Sequence, residues 1–145
     1  MRQIEVNPFL YRKATIDFFA AQKGISIVAY KPLVRGKGTE HPAVRSMAEK
    51  YGTTPGDVLL RWGAQKGLIL LPKSTNPARM EANLAAFDGP GTGGTGGAGV
   101  TISEEDVAAL DALTDPVESD KTFQAHFASR AVVDEAGPTL ALGYA

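Results

Sequence analysis

Two short runs constrain the fold of this chain most. Residues 25–30 (ISIVAY) and 68–71 (LILL) are apolar nearly throughout, and each is bracketed by residues that interrupt regular structure. A strand that is apolar on both faces marks a parallel sheet covered by helices, whereas a half-solvated strand alternates. Lys23-Gly24 precedes the first run and Pro32 follows it; Gly67 and Pro72 flank the second. Residues 3–6 (QIEV) alternate like a further short strand, stopped by Asn7-Pro8. Helical patterns fill the intervals. Residues 13–22 carry Ile16, Phe18, Phe19 and Ala20, a set suited to covering an apolar surface. Residues 43–51 place Val44, Met47 and Ala48 at helical spacing, with Gly52 just past the end. Thr54 is positioned to cap the next helix, Pro55 suits its first turn, and Val58, Leu59 and Trp62 form its apolar face. Residues 76–87 follow the third strand, with Met80, Leu84 and Phe87 along one side. Residues 103–106 (SEED) read as a capping box ahead of Val107, Leu110 and Leu113.

The order strand, helix, strand, two helices, strand, helix predicts βαβ units and a parallel sheet. Only three strands are legible, and the first begins almost on Met1. A parallel edge strand without a lead-in reads as a cut through a larger sheet, and we favour that over a small open α/β domain. Residues 89–99 (GPGTGGTGGAG) read as a flexible linker. They contain Gly91-x-Gly93-x-x-Gly96, formally a dinucleotide fingerprint. That fingerprint must follow a strand and open a helix; this one follows a helix, so the match is rejected. A short helix is expected around residues 123–135 of the tail.

Bulk properties remove several function classes. A chain of 145 residues with net charge −1 gives no electrostatic reason to expect a nucleic-acid or anionic-membrane partner. The absence of cysteine excludes disulfides, thiolate metal sites and cysteine nucleophiles. No apolar run approaches the ~18 residues of a membrane span, and the first ten residues lack a signal-peptide core. The expected location is cytoplasmic.

Few residues are placed for chemistry. His41 and His126 have no metal-ligand partner at helical spacing, so both are read as solvated surface residues, and no metal site is expected. His126-x-x-Ser129 lacks a nucleophile-elbow sequence. Glu104, Glu105 and Asp106 are read as complementing a helix dipole. Residues 71–83 (LPKSTNPARMEAN) differ. There a strand delivers the chain to the C-terminal edge of a sheet, Pro72-Lys73-Ser74 leaves it, and Asn76-Pro77 opens a helix. A helix N-terminus offers N–H groups and a positive dipole end. Lys73 adds a mobile charge, Ser74 a hydroxyl and Arg79 a planar fork, all suited to a phosphate. The competing reading makes Lys73 and Arg79 ordinary surface cations and Asn76 only a cap.

At these residues the chain resembles the aldo-keto reductase superfamily. The resemblance spans about residues 3–113 and rests on QIEVNPF, GISIVAYKPLVRGKG, TTPGDVLLRWGAQKG, LPKSTNPARMEANLAAFD and SEEDVAALDAL, in that order and spacing. The VAYKPLVRGKG wording is closest to fungal-type members. The resemblance implies an α/β fold, the C-terminal portion of a (β/α)8 TIM barrel. It divides the chain into a partial barrel over residues 1–115 and a tail over 116–145.

It also implies NADP(H) as cofactor and a small-molecule carbonyl or alcohol as substrate, interconverted by hydride transfer. Gln3 matches the glutamine that hydrogen-bonds the nicotinamide carboxamide, and Tyr30 the tyrosine on which the nicotinamide stacks. Leu33 falls in the loop over the pyrophosphate, with Arg35 nearby. Lys73, Ser74 and Arg79 match the group around the 2′-phosphate, and Asn83 the asparagine at the adenine. Lys31 departs from the serine or other small residue of many members, and Ala82 from a glutamate or glutamine; the glycine-rich insert is a further departure. The family's catalytic tyrosine, lysine, aspartate and histidine match positions upstream of this chain, so no catalytic residue is assigned. Tyr11, Tyr51 and Tyr144 are expected in structural roles, and no turnover is expected from this chain alone. The alternative is a non-catalytic fragment that binds cofactor or associates with another chain through an exposed apolar sheet edge at residues 3–6.

Overall fold

The computed structural model describes residues 1–22, 24–87 and 99–114. The expectations for the glycine-rich run, His126, Ser129, Tyr144 and the tail helix lie outside the described residues, apart from Gly99 at the end of the run.

Three strands form one parallel sheet in the order β1-β2-β3: β1 is Arg2–Glu5, β2 Ile27–Tyr30 and β3 Ile69–Leu71. Helix α1 (Lys13–Ala20) links β1 to β2. A 3-10 segment (Val34–Glu40), α2 (Pro42–Tyr51) and α3 (Pro55–Gln65) link β2 to β3. Helix α4 (Pro77–Ala85) follows β3, and α5 (Glu104–Asp111) ends in a 3-10 turn (Ala112–Thr114). The order matches the sequence expectation, and breaker residues set several boundaries. Gly52 closes α2 in the left-handed conformation at φ 61°, which a side chain would resist. Thr54 and Asp57 form the reciprocal capping box of α3, with Pro55 in the first turn.

The register defines two sheet faces. Gln3 pairs with Val28 and Val28 with Ile69; Glu5 pairs with Tyr30 and Tyr30 with Leu71. Because side chains alternate along a strand, these six share one face. Ile27, Ala29 and Leu70 point the other way, into a core with Val44, Met47, Leu59, Leu60 and Trp62. Helix α3 sits close on β3 because Gly63 has no Cβ; one added there would lie 2.8 Å from Leu70 Cδ2.

Burial departs from expectation at both ends of the sheet. The apolar run of the third strand predicts burial on both faces, yet Ile69 and Leu71 are 47% and 45% exposed and only Leu70 is covered. Met80 and Leu84 of α4 are likewise exposed, and α4 buries no residue. These side chains are apolar at the right spacing, but the described residues cover each of them only in part. Conversely, the exposed apolar edge expected at residues 3–6 is not apolar where it is exposed. Arg2 and Gln3 face solvent, while Glu5 and Val6 are buried. The exposed apolar strand positions lie on β3, at the other edge.

Candidate cofactor-binding site

Parallel strands carry their connections away from the same edge, and α/β sheets bind ligands outside that carboxyl edge. Here Tyr30 ends β2 and Leu71 ends β3 at the same register level. Lys31 to Arg35 leave from the first and Pro72 to Arg79 from the second. Tyr30 is half-buried on the open face, and Gln3 lies on that face one side-chain row nearer the strand starts. Leu33 is half-buried and packs against the core, while Arg35 is exposed. Lys73 and Arg79 are exposed, and Asn83 is half-buried on α4. The fold thus brings Tyr30, Leu33, Arg35, Lys73, Ser74 and Arg79 to one edge, with Gln3 set deeper and Asn83 further along the helix.

The turn after β3 is more self-occupied than its sequence indicates. Asn76 caps α4 by accepting from the Arg79 N–H at 3.2 Å, and Pro77 has no N–H. The Ser74 hydroxyl accepts from the Asn76 N–H at 3.1 Å. Most of the first-turn donors expected for an anion are therefore spent or missing. The attraction for an anion rests on the Lys73 and Arg79 side chains, the Ala78 N–H and the helix dipole.

Sequence reasoning missed an ion pair at the same edge. Lys31 Nζ lies 2.9 Å from Glu5 Oε2, across from β2 to β1, and 5.4 Å from the centroid of the Tyr30 ring. Glu5 is 4% exposed, and its Oε1 has no hydrogen-bond partner among the described residues. Lys31, Val34 and Arg35 all adopt positive φ (52°, 52° and 56°). No glycine or asparagine marks those three positions, so the sequence carries no signal for the turn.

His41 corrects an expectation. Its sequence context places it at the surface, yet it is buried, with Nδ1 accepting from the Ala43 N–H at 3.3 Å and its ring 5.1 Å from that of Phe9. The sequence shows no metal partner for it, and helix capping supplies the partner instead.

Several other titratable side chains tie elements of the fold together. Lys66 lies 2.9 Å from Asp111 and 3.2 Å from the Tyr11 hydroxyl, and Trp62 Nε1 donates to Asp111 at 2.7 Å. This tyrosine–lysine–aspartate group ties the end of α3 to α5 and to the segment before α1, in the helical layer. Asp106 accepts from Lys50 at 2.7 Å, from Ser103 at 3.0 Å and from the Tyr51 hydroxyl. The Lys50 bond is the largest influence holding this carboxyl down at about 2. Tyr11 and Tyr51 thus have the structural roles expected of them. Buried Arg61 donates to the carbonyls of Val100 and, at 3.2 Å, Ala86, and burial lowers its pKa. None of the described helices is long and apolar enough to cross a membrane.

Comparison with known proteins accords with this geometry. The model of the aldo/keto reductase family matches residues 1–92. An aldo-keto reductase of Mycobacterium sp. (strain KMS) is 36% identical over 115 residues, covering 79% of this chain and 37% of that protein. A probable NAD(P)H-dependent D-xylose reductase of Emericella nidulans is 41% identical over 96 residues, covering 57% of this chain and 30% of its own length. Among solved structures, a variant of Gox0644 in complex with NADPH superposes with TM-score 0.65 at 31% identity, covering 77% of this chain and 36% of that one. The chain belongs to the aldo/keto reductase family, and its three-stranded sheet and helices correspond to part of the family's α/β barrel. It spans just over a third of the length of the first curated relatives.

Proposed function

We propose that this chain carries the cofactor-binding part of an NADP(H)-dependent oxidoreductase that interconverts small-molecule carbonyls and alcohols. One observation carries the reading. Tyr30 and the Lys73–Arg79 turn leave the same edge of two adjacent parallel strands, so an aromatic platform and a cationic turn can engage one ligand together. In this assignment Tyr30 provides the stacking surface that fixes which ring face is presented, a positioning effect. Gln3 holds the carboxamide, Leu33 and Arg35 border the diphosphate, and Asn83 lies toward the adenine. Lys73, Ser74 and Arg79 hold the 2′-phosphate. The bound dinucleotide supplies the hydride. The NADPH complexed with the Gox0644 variant, and the reductase names of the curated relatives, support this choice.

Arg79 is the residue that argues for NADP over NAD, because its fork can make two bonds to one phosphate. Replacing Arg79 with Ala is expected to weaken NADPH binding roughly 10–100-fold, on the order of 1.4–2.8 kcal/mol, and to leave NADH binding nearly unchanged. Fluorescence titration with both nucleotides checks this. Equal losses for the two would remove the assignment of Arg79.

A second reading is favoured by the exposure of Ile69, Leu71, Met80 and Leu84. Here the chain is a non-catalytic fragment that at most binds cofactor and associates with another chain through the β3–α4 side.

A further inference from the structure

We propose that this chain pairs with a second copy of itself along β3, about a two-fold axis that sets the two β3 strands antiparallel in one continuous sheet, with Leu70 opposite Leu70. The inference rests on the second reading above, which leaves the partner open, and commits it to another copy of this chain.

The two edges of the sheet offer a partner different things. Among the described residues no strand pairs with the outer side of β1 or of β3. An open edge presents N–H and C=O groups to a new strand, and natural edges are commonly guarded by charge or proline. The β1 edge is guarded. Arg2 and Gln3 are exposed on it, and the Arg2 guanidinium lies 5.6 Å from the centroid of the Phe19 ring. The β3 edge is not. Its residues are Ile69, Leu70 and Leu71, and the nearest charges in sequence are Lys66 and Lys73. Lys66 is turned inward, 2.9 Å from Asp111 and 3.2 Å from the Tyr11 hydroxyl. Apolar surface also flanks this edge on both sides of the sheet. Ile69 and Leu71 are exposed on one face. Met80 and Leu84, four residues apart on one stripe of α4, are exposed in the helical layer, where α4 packs beside α3.

A second copy suits this patch because the patch is self-complementary. The polar β1 edge does not match β3, which disfavours a head-to-tail array. A two-fold axis perpendicular to the sheet keeps both helical layers on one side. Ile69 of each copy then meets Leu71 of the other, and the two α4 helices become neighbours. In this register Lys73 comes level with Gly67 of the other copy, so like charges are not opposed. A net charge of −1 adds little long-range repulsion. Pro72 has no N–H to donate, so the new ladder ends there and stays short. Tyr30 lies on β2, one strand inward, so pairing leaves the proposed ring platform uncovered.

The chain contains no cysteine, so single replacements report the geometry directly. Full chains carrying Ile69→Cys or Leu71→Cys are oxidised separately and as an equal mixture at the same total concentration. Both positions are nearly half exposed, so neither replacement opens the core, and circular dichroism verifies the fold. Directly opposed residues of an antiparallel pair have Cα atoms about 4.5–5.5 Å apart, within disulfide reach. Like positions are diagonal in this register, roughly 7–8 Å apart and beyond it. The mixture is therefore expected to give at least about 5-fold more covalent dimer than either variant alone. Sedimentation velocity of the unaltered chain should show a monomer–dimer equilibrium centred at roughly 10–100 μM, as a small interface gives. Association with no cross-linking, or with equal cross-linking in all three samples, overturns the two-fold pairing and leaves the second reading standing. A chain that stays monomeric at every concentration, with no covalent dimer from the mixture, overturns both.

Discussion

Asp106 shows how a residue of ordinary appearance acquires a role from its neighbours. In the sequence it is the last acid of SEED, placed to complete a capping box. Half of that box forms: Ser103 accepts from the Asp106 N–H at 3.2 Å. The reciprocal bond does not, because the Ser103 N–H goes to the Tyr51 hydroxyl at 2.8 Å and the carboxylate turns to Lys50 and Tyr51. The helix cap becomes a bolt between α5 and α2. The carboxyl is held at about 2 against an ordinary value of 3.8, chiefly by the bond from Lys50 and then that from Tyr51. A group depressed in the folded state stabilises above its unfolded pKa and loses that contribution as pH falls through the folded one. The contribution is therefore complete above about pH 4 and lost toward pH 2. Thermal unfolding of wild type and Asp106→Asn across that window should converge as pH falls. Parallel curves would show that the carboxylate contributes nothing specific.

At the scale of elements, much is legible because the signals are local. Glycine and proline mark the ends of strands and helices through backbone geometry alone, and apolar spacing assigns the element between them. Thr54 illustrates this: its cap is readable from Thr54-Pro55-Gly56-Asp57, and the structure contains both bonds of the box. Thr54→Ala is expected to cost about 1 kcal/mol, the usual value of such a cap, measured by urea unfolding. A loss below ~0.3 kcal/mol would mean that Thr53, which also bonds Asp57 at 2.8 Å, substitutes for it. What is not legible depends on partners distant in sequence. Ile69 and Met80 have the same local pattern as covered residues, and only the packing leaves them exposed. The candidate site divides the same way. That Lys73 follows a strand end is readable, because the run before it is apolar and Pro72 stops it. That Lys31 turns onto Glu5 is not, because lysine at φ 52° has no sequence signature and the carboxylate belongs to another strand.

For the whole molecule, the unequal treatment of the two sheet faces is decisive. The helix-covered face holds a continuous core from Val6 through Trp62 to Leu110, and every described α-helix except α4 contributes a buried residue. The other face carries the proposed ligand platform together with Ile69 and Leu71, which the described residues leave nearly half exposed, although Val28 and Glu5 on the same face are buried. Exposed apolar surface beside an open strand edge is what self-association acts on, since pairing buries area and satisfies backbone groups at once. Ile69 and Leu71 lie on that face of β3, while Leu70 between them belongs to the core. We therefore expect Ile69→Lys with Leu71→Lys to reduce concentration-dependent association of the full chain in sedimentation velocity, while leaving its helical content unchanged. Leu70→Lys instead would place a charge in the core and should unfold the chain, a loss of more than ~4 kcal/mol. If the double variant sediments as the wild type does at every concentration, the β3 face is not the associating surface. The open face would then be left to the ligand reading, whose test is the binding of NADPH by the same chain.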